Sequence, residues 1–136
     1  MIEYREFGSR LIEDVYRIYE ENGWSAYLSD KDKLIRSFDK SLYILGAFDE
    51  EKLVGFVRCV GDDEYIVYIQ DLIVRPGYQR KGIGRKLIEL TSKRFSSIRQ
   101  FVLITDKNDE ASNAFYRAIG LTEEFNGYPI THYFRS

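Results

Sequence analysis

Five cations crowd one short stretch of this chain: Arg75, Arg80, Lys81, Arg85 and Lys86. The stretch runs Asp71-Leu72-Ile73-Val74-Arg75-Pro76-Gly77-Tyr78-Gln79-Arg80-Lys81-Gly82-Ile83-Gly84-Arg85-Lys86-Leu87-Ile88. Its apolar run ends at Val74, and Pro76-Gly77 signals a turn. Leu87, Ile88 and Leu90 then fall at helical spacing, and Phe95 continues the pattern. The pattern predicts a buried strand, a tight connection and a helix. A helix N-terminus already carries about half a positive charge, and each exposed cation there opposes it by about 0.3–1 kcal/mol. An anionic ligand accounts for the arrangement, because the free N–H groups of the first turn then gain acceptors. Gly82 and Gly84 lack the Cβ atoms that would hold a phosphate off the backbone. The alternative is a glycine-eased strand-to-helix turn with solvated basic residues.

Composition bounds the rest. At 136 residues the chain is read as one domain, 1–136, large enough for a core. Hydrophobic residues make up 44% and charged residues 31%, as in an ordinary globular protein. The net charge of -2 argues against nucleic acid as a partner, since nucleic-acid-binding domains are usually basic overall. The basic residues are local instead, which suits one small polyanion. A single cysteine, Cys59, excludes an internal disulfide. With only His132 beside it, no metal site is expected. No apolar run approaches membrane-spanning length, and the N-terminus carries Glu3 and Glu6 without an apolar signal region. A cytoplasmic protein without a membrane partner is the expectation.

Positioning elements follow from the patterning. Residues 1–7 alternate as a short edge strand. Ser9 precedes a helix with Leu11, Ile12, Val15, Ile18 and Tyr19 on one face, stopped at Gly23. An aromatic link holding Trp24 and Tyr27 leads to a second helix, capped by Ser29 or Asp30. Residues 41–48 and 53–60 form a hairpin. Residues 65–74 make a nearly continuous apolar strand, expected at the sheet centre. Residues 98–105 are a further strand, and 110–119 a helix stopped by Gly120. Residues 121–125 and 131–135 are expected as final strands around an Asn126-Gly127 turn. The order β-α-α-β-β-β-α-β-α-β-β predicts an α/β (α+β) fold, with a mixed, mostly antiparallel sheet flanked by helices on both faces.

Gln79-Arg80-Lys81-Gly82-Ile83-Gly84 resembles the Q/R-x-x-G-x-G/A signature of the GCN5-related N-acetyltransferases (GNAT). The element order agrees with that family from end to end. A second segment, Asp109 to Leu121, is similar to the family's N-x-x-(A/S)-x-x-(F/L)-Y-x-x-x-G-F pattern. It departs from it at Asp109 and Leu121, where the family has Asn and Phe.

The resemblance implies an acetyl-CoA-dependent N-acetyltransferase acting on a primary amine of a small molecule. The alternatives are a non-catalytic acyl-CoA-binding module and a peptide or protein amino-group acetyltransferase. The amides of Gln79, Arg80, Lys81, Gly82, Ile83, Gly84 and Arg85 would bind the pyrophosphate. A backbone N–H at Leu72 or its neighbours Ile73 and Val74 would hold the thioester carbonyl, given a β-bulge in that strand. Asn108 or Asn113 would contact the pantetheine arm. Tyr116 occupies the position that protonates the departing thiolate in several members; its other reading is a core aromatic beside Phe115.

The general base has no clear owner. In relatives it projects from the strand near Tyr68 or Gln70, and neither is a carboxylate. Strand alternation places Asp71 opposite Gln70, where it caps a turn, pairs with a cation, or serves as the base. The favoured expectation is that Gln70 or Tyr68 orients a water and the amine enters neutral. By family analogy the acceptor site includes Trp24 and Tyr27, since a Trp face attracts ammonium groups. Arg58 with Asp62 and Asp63 reads as a solvated turn pair. A homodimer through the final strands is compatible with the sequence. Dinucleotide and P-loop readings fail: Leu87 stands where the third glycine belongs, and no Gly-Lys-Ser/Thr ending is present.

Overall fold

The computed structural model describes residues 1–135. Five strands form one sheet in the order β1 (Ile2–Glu6), β2 (Tyr43–Asp49), β3 (Lys52–Gly61), β4 (Ile66–Val74), β5 (Gln100–Leu103). The first three pairings are antiparallel, and β4–β5 is parallel. The middle strand is β3, not β4 as its apolar run suggested; β3 is buried without a break from Leu53 to Cys59.

Two helices cover one face. In α1 (Ile12–Glu21) the buried residues Ile12, Val15, Ile18 and Tyr19 form a stripe at helical spacing. In α2 (Lys31–Asp39) Leu34 and Phe38 do the same. The Asp30 side chain caps α2 by accepting from the Lys33 N–H at 3.1 Å. These side chains pack on Ile44, Phe48, Phe56 and Ile73 of the sheet. The other face carries α3 (Ile83–Arg94), which buries Ile83, Leu87, Ile88 and Thr91. Just past its end, Phe95 meets Tyr43 edge-on at 5.3 Å. Tyr43 and Ile44 are neighbours in β2 and point to opposite faces, so the helices flank the sheet on both sides.

The chain packs as two compact units, 1–104 and 105 onward. In the second, α4 (Glu110–Ala118) precedes a two-strand hairpin, β6 (Glu124–Phe125) and β7 (Tyr128–Pro129). The hairpin closes on Asn126 and Gly127, both at positive φ (52° and 83°), the geometry for which Asn-Gly is favoured. The strand expected over 131–135 does not form. Pro129 has no N–H with which to extend the ladder, and pairing stops there.

One irregularity matters for function. Arg58 pairs with Asp71, but the next residue of β3, Cys59, pairs with Ile69. Gln70 therefore has no partner in β3 and forms a β-bulge. On its other side β4 is joined to β5 only over Ile66–Ile69. From Gln70 to Val74 that edge has no strand beside it among the described residues.

Candidate active site

The loop after β4 is built from backbone. Pro76–Tyr78 make one 3₁₀ turn, Arg80 sits at φ 62°, and Gly82 is left-handed at φ 81° just before α3. A left-handed residue costs about 1–2 kcal/mol for anything with a Cβ, so glycine belongs at Gly82. A Cβ at Gly82 would meet nothing within 4 Å, and one at Gly84 would find only a Val74 methyl at 3.9 Å. The start of α3 is thus open to a ligand. No side chain caps it, and its first turn holds no acidic residue.

Of the five cations, two have other work. Arg75 is buried, with Nη1 on Glu21 at 2.6 Å and Nε donating to the Leu53 carbonyl at 2.9 Å. Arg85 pairs with Glu89 one turn along the helix, at 2.8 Å. Arg80, Lys81 and Lys86 are exposed, and Lys81 lies over the Tyr78 ring at 5.5 Å. Lys81 and Lys86 line a cleft of about 510 Å³ with Tyr4, Asp49 and Tyr78.

Gln79 holds the loop at its root. Its Nε2 donates to the Val74 carbonyl at 2.9 Å and to Asn22 Oδ1 at 3.1 Å. Asn22, at the end of α1, donates to the same Val74 carbonyl at 3.2 Å and to Ile18 at 2.9 Å. Sequence reasoning missed Asn22, whose loop partners Val74 and Gln79 lie more than 50 positions away. The side chains of Ile73 and Ile83 are buried, so only their backbone is available to a ligand. Leu72 and Val74 are half-buried on the open-edged part of β4.

At the bulge, Asp71 is 1% exposed and receives three donors. Tyr19 donates at 2.8 Å, Tyr27 at 2.9 Å, and Arg58 Nε at 2.7 Å. Arg58 also reaches Ser41 at 3.2 Å. The solvated turn pair expected for Arg58 is therefore replaced by a buried ion pair. Asp62 instead accepts from the N–H groups of Glu64, Tyr65 and Ile66. Burial pulls the Arg58 guanidinium down, but the charge and hydrogen bond of Asp71, with Tyr19 and Tyr27, together leave the group above its ordinary value. Burial, then the Asp71 charge, raises the phenols of Tyr19, Tyr27 and Tyr68, so all three hold their protons.

Gln70 Nε2 donates to the Tyr27 hydroxyl at 2.9 Å. Gln70 and Asp71 therefore meet on one phenol, which corrects the expectation that they face opposite ways. The extra residue of the bulge breaks the alternation on which that expectation rested. Tyr27 stacks on Tyr19 at 4.6 Å, and Trp24 stacks on Tyr19 at 5.9 Å. Tyr27 also lines a groove of about 330 Å³ with Ala26, Ser29, Asp30, Lys33, Leu34 and Ser37.

In the second unit, Asp109 caps α4 by accepting from the Ser112 N–H at 3.1 Å and its hydroxyl at 2.8 Å. Asn113 Nδ2 donates to the carbonyls of Asp106, Lys107 and Asp109, tying down the turn before the helix. The Asn108 N–H donates to Asp106 at 2.8 Å. Tyr116 is half-buried beside Phe115, ring centres 5.3 Å apart. Burial, then Asp109, raises its phenol above the ordinary value.

The family model of the GNAT acetyltransferases matches residues 7–121, from the turn after β1 to the residue after Gly120. The chain belongs to that family. A GNAT family acetyltransferase from Streptococcus pneumoniae TIGR4 superposes with TM-score 0.84 at 32% identity, covering 100% of this chain and 98% of that one. The PaiA N-acetyltransferase of Thermoplasma acidophilum, solved in complex with coenzyme A, shares the GNAT fold at TM-score 0.76 and 22% identity, over 93% and 94% of the two chains. A ycf52-like protein of Prochlorococcus marinus, named as an uncharacterized N-acetyltransferase, is 29% identical over 120 residues. That alignment covers 84% of this chain and 64% of the relative, so the chain spans under two thirds of that relative's length. These GNAT matches support an acetyltransferase. Among the described residues no helix is long and apolar enough to cross a membrane.

Proposed function

We propose that the protein transfers an acetyl group from acetyl-CoA to a primary amine of a small molecule, directly and within a ternary complex. The observation that carries this reading is the uncapped start of α3 behind a left-handed Gly82, with Arg80, Lys81 and Lys86 exposed around it. Free amides and local positive charge suit a pyrophosphate. The amides from Arg80 to Arg85 would hold it, whereas the Gln79 N–H, expected among them, is turned to the Pro76 carbonyl at 3.4 Å. The open edge of β4 at Leu72 to Val74 would receive the rest of the cofactor. Bound there, acetyl-CoA supplies an acetyl group activated as a thioester.

The remaining steps fall to the chain's own groups. A backbone N–H at Leu72 or a neighbour stabilises the developing oxyanion. Tyr116, protonated through and beyond neutral pH, is kept as the donor to the leaving thiolate on the strength of its place in the family motif. We assign Asp71 a positioning role rather than that of the base, because three donors enclose it and Arg58 neutralises it. Gln70 and Tyr68 are the polar groups left at the bulge. Asn108 and Asn113 are retained as contacts of the pantetheine arm through backbone and side-chain oxygen. Trp24 and Tyr27 frame the acceptor side, where the groove beside α2 is of a size for a small molecule. The chain works as a single catalytic domain in the cytoplasm, without a metal.

The test is thiol release from acetyl-CoA across a panel of small primary amines. At least one amine should be acetylated, and Tyr116→Phe should lower kcat on the order of 10²-fold, the scale of a lost proton donor. Full activity in Tyr116→Phe would remove that residue from the mechanism.

A further inference from the structure

The network at the bulge has a direction. An ionised carboxylate can only accept hydrogen bonds, so the Tyr27 hydroxyl must spend its one proton on Asp71 Oδ1, 2.9 Å away. Its oxygen can then only accept from Gln70. That fixes the Gln70 amide: the NH₂ end faces Tyr27 at 2.9 Å, and the carbonyl end, Oε1, is turned away from the network on an exposed residue. Asp71 also accepts from Arg58 and Tyr19, at 2.7 and 2.8 Å. The chain of polarity therefore runs from a buried ion pair to one oriented acceptor at the bulge.

From this geometry we infer that Gln70 Oε1 accepts an N–H of the attacking amine, that Tyr27 and Asp71 are positioning residues for it, and that the enzyme selects amines of low pKa. The inference rests on the acetyltransferase reading above. A carboxamide oxygen orients an amine but cannot remove its proton. An ammonium acceptor must therefore lose one proton to solvent before it binds productively. The neutral nitrogen then attacks the thioester carbon, the N–C bond forms, and the C–S bond breaks with its electron pair on sulfur. The second amine proton leaves nitrogen and ends on the thiol, so amine plus acetyl-CoA gives amide plus CoA-SH. At pH 7.5 roughly a quarter of an α-amine is neutral, against roughly 0.1% of a lysine-type amine, from reference pKa values near 7.9 and 10.4. The favoured acceptor class is an amine whose pKa is lowered by a neighbouring electron-withdrawing group.

Among the described residues of the first unit, the groups of this network leave no ready base. Tyr68 shares its strand, Arg58 lies on β3, Tyr19 on α1 and Tyr27 in the turn before α2. All three phenols are raised, and Arg58 stays charged. Asp30 and Lys33 line the groove with Tyr27, and Asp30 Oδ1 is engaged by the α2 cap.

The experiment compares glycinamide with 6-aminohexanamide as acceptors for the intact protein, as pH profiles of kcat/KM. The rising limb should follow the acceptor, bending near pH 8 for glycinamide and still climbing at pH 9.5 for the other. Gln70→Leu should lower kcat about tenfold and Tyr27→Phe about threefold, the range of one hydrogen bond, with the KM for acetyl-CoA unchanged. The double variant should match Gln70→Leu alone, because the Tyr27 hydroxyl, the group that Tyr27→Phe removes, acts only through Gln70. Tyr27→Phe keeps the ring stack on Tyr19, and circular dichroism confirms its fold. A limb fixed at one pH for both acceptors, or one abolished by Asp30→Asn, would mean an enzymic base and overturn the inference. Additive losses in the double variant would overturn the positioning role. If acetyl-CoA binds and no amine is acetylated, the acetyltransferase reading falls, and this inference with it.

Discussion

Two regions on β4, only a few residues apart, are made in opposite ways. The loop beyond Val74 offers backbone: an uncapped helix start, a left-handed glycine and exposed cations. The bulge at Gln70 offers side chains: a buried carboxylate, a guanidinium and two phenols drawn from four separate elements. The first gains its chemistry from what is missing, namely Cβ atoms and capping groups. The second gains it from full satisfaction, since no buried side-chain polar atom among the described residues lacks a partner. An anion site can be made from peptide groups, whereas the amine-orienting role proposed for Gln70 needs placed side chains.

The largest expected effect breaks the second region. Asp71→Ala leaves the Arg58 guanidinium, 5% exposed, without its partner. The cost is about 3–5 kcal/mol, read from urea unfolding. Replacing the pair together, as Arg58→Met with Asp71→Leu, should recover most of that stability while leaving Tyr27 without its acceptor. If Asp71→Ala unfolds like the wild type, the network is not what holds the bulge.

A smaller effect should join the regions. Asn22 is the C-cap of the helix that carries Tyr19, yet it grips the root of the loop through Gln79 and the Val74 carbonyl. Asn22→Ala should weaken acetyl-CoA binding by about three- to tenfold, from the loss of hydrogen bonds worth about 0.5–1.5 kcal/mol each. It should leave the pH at which the rate limb bends unchanged. A shifted limb with unchanged cofactor affinity would reverse the assignment of Asn22 to the loop.

The smallest effect appears only in alkali. Burial, then Asp71, raises the Tyr19 phenol in the folded protein. The unfolded chain therefore releases that proton first, near the reference value of about 10. Above that pH the native state binds more protons than the unfolded state, so stability falls as pH rises. Below it the contribution is fully present. Tyr19→Phe should flatten the decline above pH 10 while losing some stability at pH 7 through its missing bond to Asp71. An equal alkaline slope in both proteins would assign the decline to other phenols.

The contrast also explains what could be read from the sequence. The loop was legible because its residues are contiguous: Gln79 to Gly84 carry turn, charge and glycine signals side by side. The helices were legible from the spacing of Ile12, Val15, Ile18 and Tyr19; residue type narrowed the α2 cap to Ser29 or Asp30, and it is Asp30. The bulge network was not, because Tyr19 and Asp71 lie 52 positions apart and Arg58 stood closer to Asp62 and Asp63 in the chain. A period-two pattern has no sign for an inserted residue, so it sets Asp71 on the face opposite Gln70. Local charge also overcounted the loop, since nothing near Arg75 in sequence announces Glu21. The final strand over 131–135 failed because apolar content alone does not outweigh the proline that ends the hairpin ladder.

The measurement that bears most directly on the whole account is calorimetric titration of acetyl-CoA into the wild type and into Gly82→Asp with Gly84→Asp. Carboxylates placed against a phosphate site cost several kcal/mol, so the variant should bind at least about a hundredfold more weakly. Its unfolding free energy should fall by no more than about 1–2 kcal/mol, the cost of a side chain at the left-handed Gly82, because both positions have open space around them. Equal affinity in the two proteins, or a wild type that does not bind acetyl-CoA, would contradict the placement of the cofactor on this loop.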